Sequence, residues 1–472
     1  MTTEQKTTSR RKFIAAGAAA VAVAAVGGAA YYLSQGSAPP SNTASSAASS
    51  PLVFDHWHFQ DAQVTEYLKS FEKEFNEPAV VEEPIDNGNY HTLLLAKFEA
   101  GEVMDMCYAN GYAVPTFLSL GYLQDLESMT DINQIKSEMY PGVIDSESTA
   151  DGKLYCLPYY WSARPIVVVN DDILNKAGLS GQRPETWDEL WSLAAKVKAS
   201  GASQYPVIPN WMSITSGITW DFLGEMANAY NDPDCTKTLF GKDFHPVFDT
   251  NTEIADLLKT WQRVVKDGIV DPVVFSQTGE GETVAAMNTG KYAFATTALY
   301  DFVPMNDPKS SMIPLGSANL VPMVKQPWGM METGVYCWPK KNHSQERSQE
   351  LLKFLGWKDP ATGKRITATQ WAKVANLGSG YPDTLDDPDV VASFKNWLGD
   401  RADATLKAQK DISNAVRTPW IWKSTYYTAW EATVLPILSS IASGTLSVND
   451  GITKMRSIAE SLWQKQYGST TT

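Results

Sequence analysis

Cysteine is scarce: four residues in 472, at positions 107, 156, 235 and 337, with no C-x-x-C pair and no Cys/His cluster. That scatter argues against a structural zinc site and a disulfide framework, and leaves four mostly buried thiols as the expectation. Basic charge is short as well. Four of the 39 basic residues and one of the 53 acidic ones fall in the first 50 positions, so the remainder carries a formal charge of −17. A surface of that sign repels phosphate backbones and anionic lipid heads, and no basic stripe interrupts it; no nucleic-acid partner is expected. No segment recurs at a fixed period, which excludes solenoids and propellers. The chain also lacks a G-x-S-x-G elbow, an H-E-x-x-H pair and a G-x-x-x-x-G-K-[ST] phosphate loop. His56 and His58 place two imidazoles on one strand face, but no third ligand is in view. Neither a metal nor a cofactor is expected, and no catalytic residue is assigned.

What the chain has is length and aromatic side chains. Its 472 residues suit two or three domains, and 11% of them are Phe, Trp or Tyr. Most of those rings belong to cores, while flat apolar faces beside polar edges also suit small-molecule pockets.

The N-terminus reads as an export element. Ser9-Arg10-Arg11-Lys12-Phe13-Ile14 resembles a twin-arginine signal, and the uncharged stretch from Phe13 to Leu33 is rich in Ala, Gly and Val. At ~1.5 Å per residue the same stretch is also long enough for a membrane anchor. Both readings put the later residues outside the cytoplasmic membrane, in the periplasm or at the cell surface. No cysteine follows that would carry a bacterial lipid anchor. Residues 34–51, rich in Ser, Ala and Pro, cannot bury enough surface to fold and read as a flexible tether.

Beyond the tether the pattern is α/β. Leu52-Val53-Phe54 is a short apolar run, and Val64, Tyr67, Leu68, Phe71 and Phe75 then recur at helical spacing. Leu93 to Ala100 predicts a second helix stopped by Gly101, and Met104 to Tyr108 a strand. Asp151-Gly152 predicts a turn before a strand over Leu154 to Pro158, and Ile166 to Val169 a fully buried strand. Thr186-Trp187-Asp188-Glu189 fits a capping box, and Val448, Ile452, Met455, Ile458 and Leu462 mark a final amphipathic helix. Alternating strands and helices imply sheets with helices on their faces.

Five segments then carry a resemblance in the right order: Asp105 to Asn110 with Phe117 to Leu126, Asp151 to Pro158, Asn170 to Leu190, Gly290 to Phe294, and Ser443 to Ser447. Together they resemble the extracellular solute-binding proteins of ABC importers, the type that takes maltose, oligosaccharides and glycerol phosphates, over about residues 52–465. Cys156 stands where that family usually has glycine. The resemblance implies a two-lobed periplasmic-binding-protein fold of type II, with a hinge and an interlobe cleft. One lobe would take 52–162 and 334–380, the other 163–333 and 381–472. The implied function is capture of a sugar or oligosaccharide by a monomer and its delivery to membrane permease subunits. A polyol, a glycerol phosphate or a cationic solute is the alternative ligand. A secreted carbohydrate hydrolase with paired carboxylates is the rival from another class.

Ligand contacts are expected on loops leaving the carboxyl ends of strands. Trp57 and His58 follow the first strand, Asn110 follows the 104–108 strand, and Trp161 lies on the first hinge crossing beside Tyr160. Trp211 is placed with Trp220 in an aromatic segment whose spacing equally suits helical core. Tyr300 and Asp301 occupy the place of the family's G-P-W-D loop, with Ala298-Leu299 for Gly-Pro and Tyr for Trp. Glu332 precedes the second crossing, where the family often has a small residue. Trp371 and Trp420 to Trp422 are assigned to core or rim.

Overall fold

The computed structural model describes residues 50–85, 90–212 and 217–468. The signal or anchor expected over 1–33, and the tether up to residue 49, lie outside the described residues. None of the described helices is long and apolar enough to cross a membrane.

Nine strands among the described residues build two open sheets. The first holds β1 (Val53–Trp57), β2 (Val81–Ile85), β3 (Met106–Asn110), β4 (Cys156–Arg164) and β9 (Met330–Cys337) in the order β2-β1-β3-β9-β4. The second holds β5 (Ile166–Asn170), β6 (Val207–Ile208), β7 (Phe294–Thr297) and β8 (Ala318–Val321) in the order β6-β7-β5-β8. Both sheets are mixed: β1 runs parallel to β2 and β3, whereas β9 is antiparallel to β3 and β4. β5 is antiparallel to both neighbours and buried along its whole length, as a β-branched run with no polar alternation requires.

The chain passes from the first sheet to the second at β4, which runs into β5 across the single residue Pro165. It returns through β9. These two crossings are themselves hydrogen-bonded neighbours, with Ser162 opposite Glu332, Ala163 opposite Met331 and Arg164 opposite Met330. A later segment joins them: Gly378 bridges to Trp161, and Arg417 bridges to Met330. The junction is therefore a patch of the first sheet from which the chain runs on into the second.

Local sequence explains the helices around this frame. The 61–75 helix buries Val64, Tyr67, Leu68 and Phe71, and the helix over Tyr90–Ala100 stops at Gly101, whose φ is +70°. Thr186 caps the helix over Trp187–Ser200 by accepting from the Glu189 amide at 3.2 Å. The Glu189 carboxylate reaches back to the amide of Glu185, one residue beyond the expected box. The final helix, Val448–Tyr467, starts at Ser447, which accepts from the Asp450 amide. The strand expected over Leu154 to Pro158 begins two residues later, at Cys156, and continues to Arg164 because β9 pairs with it all the way.

All four cysteines are free and buried. Cys107, Cys337 and Cys156 stand opposite one another on the adjacent strands β3, β9 and β4.

The crossing leaves no room at Gly378. A Cβ there would lie 2.3 Å from the Trp161 carbonyl oxygen, a backbone atom that cannot step aside. Gly378→Ala is expected to lower stability by about 1–3 kcal/mol through overpacking, read as a shift of the urea midpoint without a change of slope.

Candidate functional site

Arg164 ends β4, and its side chain is almost fully buried. A guanidinium withdrawn from water needs counter-charge and hydrogen-bond acceptors close by. Each is supplied from a different part of the chain. Glu332, on β9, takes Nε at 2.5 Å, and Glu280, at the start of the helix over Glu280–Asn288, takes Nη2 at 2.6 Å. Nη2 also donates to the Tyr300 hydroxyl, which in turn donates to Glu280 at 2.8 Å. Tyr160 donates to the other Glu332 oxygen at 3.0 Å. Trp220, on the helix over Gly217–Ala229, lays its ring 4.7 Å from the guanidinium carbon, a cation–π distance.

The charge states follow from this packing. Burial opposes the Arg164 charge, but Glu280, Glu332, Tyr300 and Asp301 outweigh it and hold the group charged well past its ordinary value. Burial pushes the Asp301 carboxyl well above the usual range, with Glu280 adding to the push and Arg164 resisting it. Burial also raises Glu332, again against Arg164. Asp221 accepts from Thr296 at 2.7 Å and is raised by burial to about 7.

A second group of rings adjoins the first. Tyr112, in the turn after β3 of the first sheet, lies 6.4 Å from Trp220, 5.3 Å from Trp422 and 5.8 Å from Tyr427, centroid to centroid. Tyr427 opens the helix over Tyr427–Ala442, which packs on the 217–229 and 253–266 helices of the second sheet's half, and its hydroxyl donates to Glu431 at 2.8 Å. Rings from both halves thus meet beside a buried polar cluster.

Of the expected site residues, Tyr300, Asp301 and Glu332 are brought together here. The other five sit elsewhere. Trp57 packs among Tyr90, Tyr108 and Tyr159 in the first sheet's aromatic core. His58 is exposed and pairs with Asp61 at 2.7 Å. The Asn110 amide donates to His91, and the turn that follows delivers Tyr112 instead. Trp161 is fixed in the crossing, its indole donating to the Ser379 carbonyl and its amide to Gly378. Trp211 precedes the 217–229 helix rather than riding on it and is fully buried, 4.3 Å from Trp261 and 6.3 Å from Trp191. Among the described residues no group of three or more His, Cys, Asp or Glu is placed to hold a metal ion.

Sequence reasoning missed Arg164, Glu280, Tyr112 and Tyr427. Arg164 had a signal: it is the one charge in the run from Cys156 to Asn170, where an unpartnered cation would be costly. Glu280 had none, because it lies in a polar helix start far along the chain.

Asp221 gives the site a pH signature. A folded value near 7, against an ordinary 3.8, means that the folded chain keeps a proton that the unfolded chain releases above about pH 4. Its contribution to stability is therefore present below pH 4 and is lost as pH rises through 7. Asp221→Asn is expected to flatten that decline in urea unfolding measured from pH 4 to 8. Asp55, which burial raises to about 7 against the pull of Lys97, and the other carboxyls raised by burial, Asp301 and Glu332 among them, keep a slope of the same sign.

The chain's likeness to known proteins agrees with this architecture. Residues 66–370 match the family described as bacterial extracellular solute-binding protein. The sn-glycerol-3-phosphate-binding periplasmic protein UgpB of Brucella abortus is 32% identical over 178 residues, which is 33% of this chain and 38% of that protein. The chain thus spans less than two fifths of that curated relative's length. Among solved structures, the sugar-binding protein MalE of Xanthomonas citri superposes with a TM-score of 0.70 at 19% identity, covering 89% of this chain and 99% of its own. Maltose-bound MalE3 of T. maritima gives 0.69 at 18% identity, covering 87% and 98%. The two-lobed α/β fold of these proteins is the fold described above, and the chain belongs to the bacterial extracellular solute-binding protein family.

Proposed function

We propose that the chain is the solute-capturing subunit of an ABC importer, which holds a carbohydrate or polyol between its two halves and hands it to membrane permease subunits. The observation that carries this reading is Tyr112. It reaches from the first sheet's half onto Trp220, Trp422 and Tyr427 of the other, beside the hydrogen-bonding groups around Arg164. A carbohydrate offers C–H faces to rings and hydroxyls to directional donors and acceptors, and the groups around Tyr112 and Arg164 include both. A solute that touches both halves stabilises the closed form by the difference in its contacts with the closed and open states.

In this reading the lobes are 52–162 with 334–380 and 163–333 with 381–472. The working site consists of Tyr112, Tyr160, Trp220, Tyr300, Asp301 and Glu332, with Arg164 at its centre. The protein acts as a monomer outside the cytoplasmic membrane, and the N-terminal segment serves as twin-arginine signal or tether. It transforms nothing: the site residues bind and orient.

Small-angle scattering is expected to show compaction with a bound mono-, oligosaccharide or polyol, and mass spectrometry to recover that solute unchanged. Tyr112→Ala should weaken binding about tenfold or more, because the ring's stacking and desolvation are lost. Recovery of a cleaved or altered product at catalytic protein concentration defeats the reading.

A further inference from the structure

The charges around the cleft are unequal. Glu280, Glu332, Asp301 and Asp221 all act on or are acted on by Arg164, and Glu431 lies beside Tyr427 with its field reaching Tyr112. Four carboxyl groups therefore share one guanidinium, while the fifth, Glu431, takes the Tyr427 hydroxyl. Nε and Nη2 of that guanidinium are already committed to Glu332, Glu280 and Tyr300. A phosphate entering here would have to displace Glu332 and Glu280 from Arg164 and then lie against the two carboxylates it had released. Like charges at such range cost far more in a buried site than in water.

A cation meets the opposite conditions. Aromatic faces flanked by carboxylates are the surroundings that attract ammonium and guanidinium groups, and the chain itself shows this by seating Arg164 against Trp220 and within 5.5 Å of the Tyr300 ring centre. Burial leaves Asp301 and Asp221 holding protons, with Arg164 as the cation that resists this at both. An incoming ammonium would supply the missing counter-charge.

We propose that the cleft selects a hydroxyl-bearing solute that carries a protonated amine, an amino sugar or amino polyol, and excludes phosphorylated solutes. This rests on the cleft being the solute site, and deepens that reading by fixing the ligand's charge. It also separates the chain from the glycerol-phosphate-binding relative that it matches over a third of its length.

The test uses the full chain and matched solute sets, each a neutral parent, its amine and its phosphate ester: D-glucose, D-glucosamine and D-glucose 6-phosphate, with the same three forms on a hexitol frame. Calorimetry or thermal shift is expected to rank the amine about tenfold or more above the neutral parent on at least one frame. The phosphate ester and inorganic phosphate should give no shift. Asp301→Asn, or Glu431→Gln should the first fail to fold, is expected to lower the ratio of amine to neutral affinity. In a Glu280→Gln, Glu332→Gln variant, inorganic phosphate should stabilise a fold that it leaves unmoved in the parent chain. A neutral or phosphorylated member that binds at least as well as its amine overturns this inference and leaves the carbohydrate reading intact. Silence from every frame overturns both.

Discussion

A positive charge that cannot reach water sits where the two sheets join, and much of the surrounding structure answers to it. Arg164 is delivered by the end of β4, so its counter-ions must come from elsewhere: Glu332 from the antiparallel partner strand, Glu280 from a helix start on the second sheet's side. An ion pair in such a place adds little net stability, because desolvation consumes most of the Coulomb gain. Loss of one partner would nevertheless leave a buried charge exposed to no solvent, at several kcal/mol. The constraint therefore acts on geometry. It ties the crossing strands, Glu280 and the Tyr300 loop into one arrangement.

That arrangement bears on movement. The two crossings run side by side as paired strands, and Gly378 locks against one of them, so the junction itself is stiff. Further out the contacts differ in kind. Tyr112 meets Trp220, Trp422 and Tyr427 through ring faces and edges, contacts that can part without orphaning a hydrogen bond. Lys423 is a stronger tie across the halves, since its buried ammonium donates to the Asp145 and Ser148 carbonyls.

Much of the fold was legible in the sequence because it is written in local periodicity and capping. The 61–75 and 448–467 helices, the Gly101 stop, the Thr186 cap and the buried β5 run each follow from a few adjacent residues. The site was less legible, for a physical reason. Glu332, Tyr300 and Asp301 were reachable through resemblance to a family layout, but Trp57 and Trp211 look the same in sequence whether they wall a cleft or fill a core. Exposure is decided by what packs above a ring, and that is not local. Arg164 and Glu280 stand 116 positions apart and meet only after both sheets have formed.

The row of thiols across β3, β9 and β4 has a consequence of its own. Three sulfurs with no access to solvent, on adjacent strands of one sheet, stay inert for as long as the sheet stays shut, since a reagent needs the ionised thiol and burial holds each one protonated. Their reactivity therefore counts the rare moments when that sheet comes apart. The molecule carries an internal clock for the opening of that sheet.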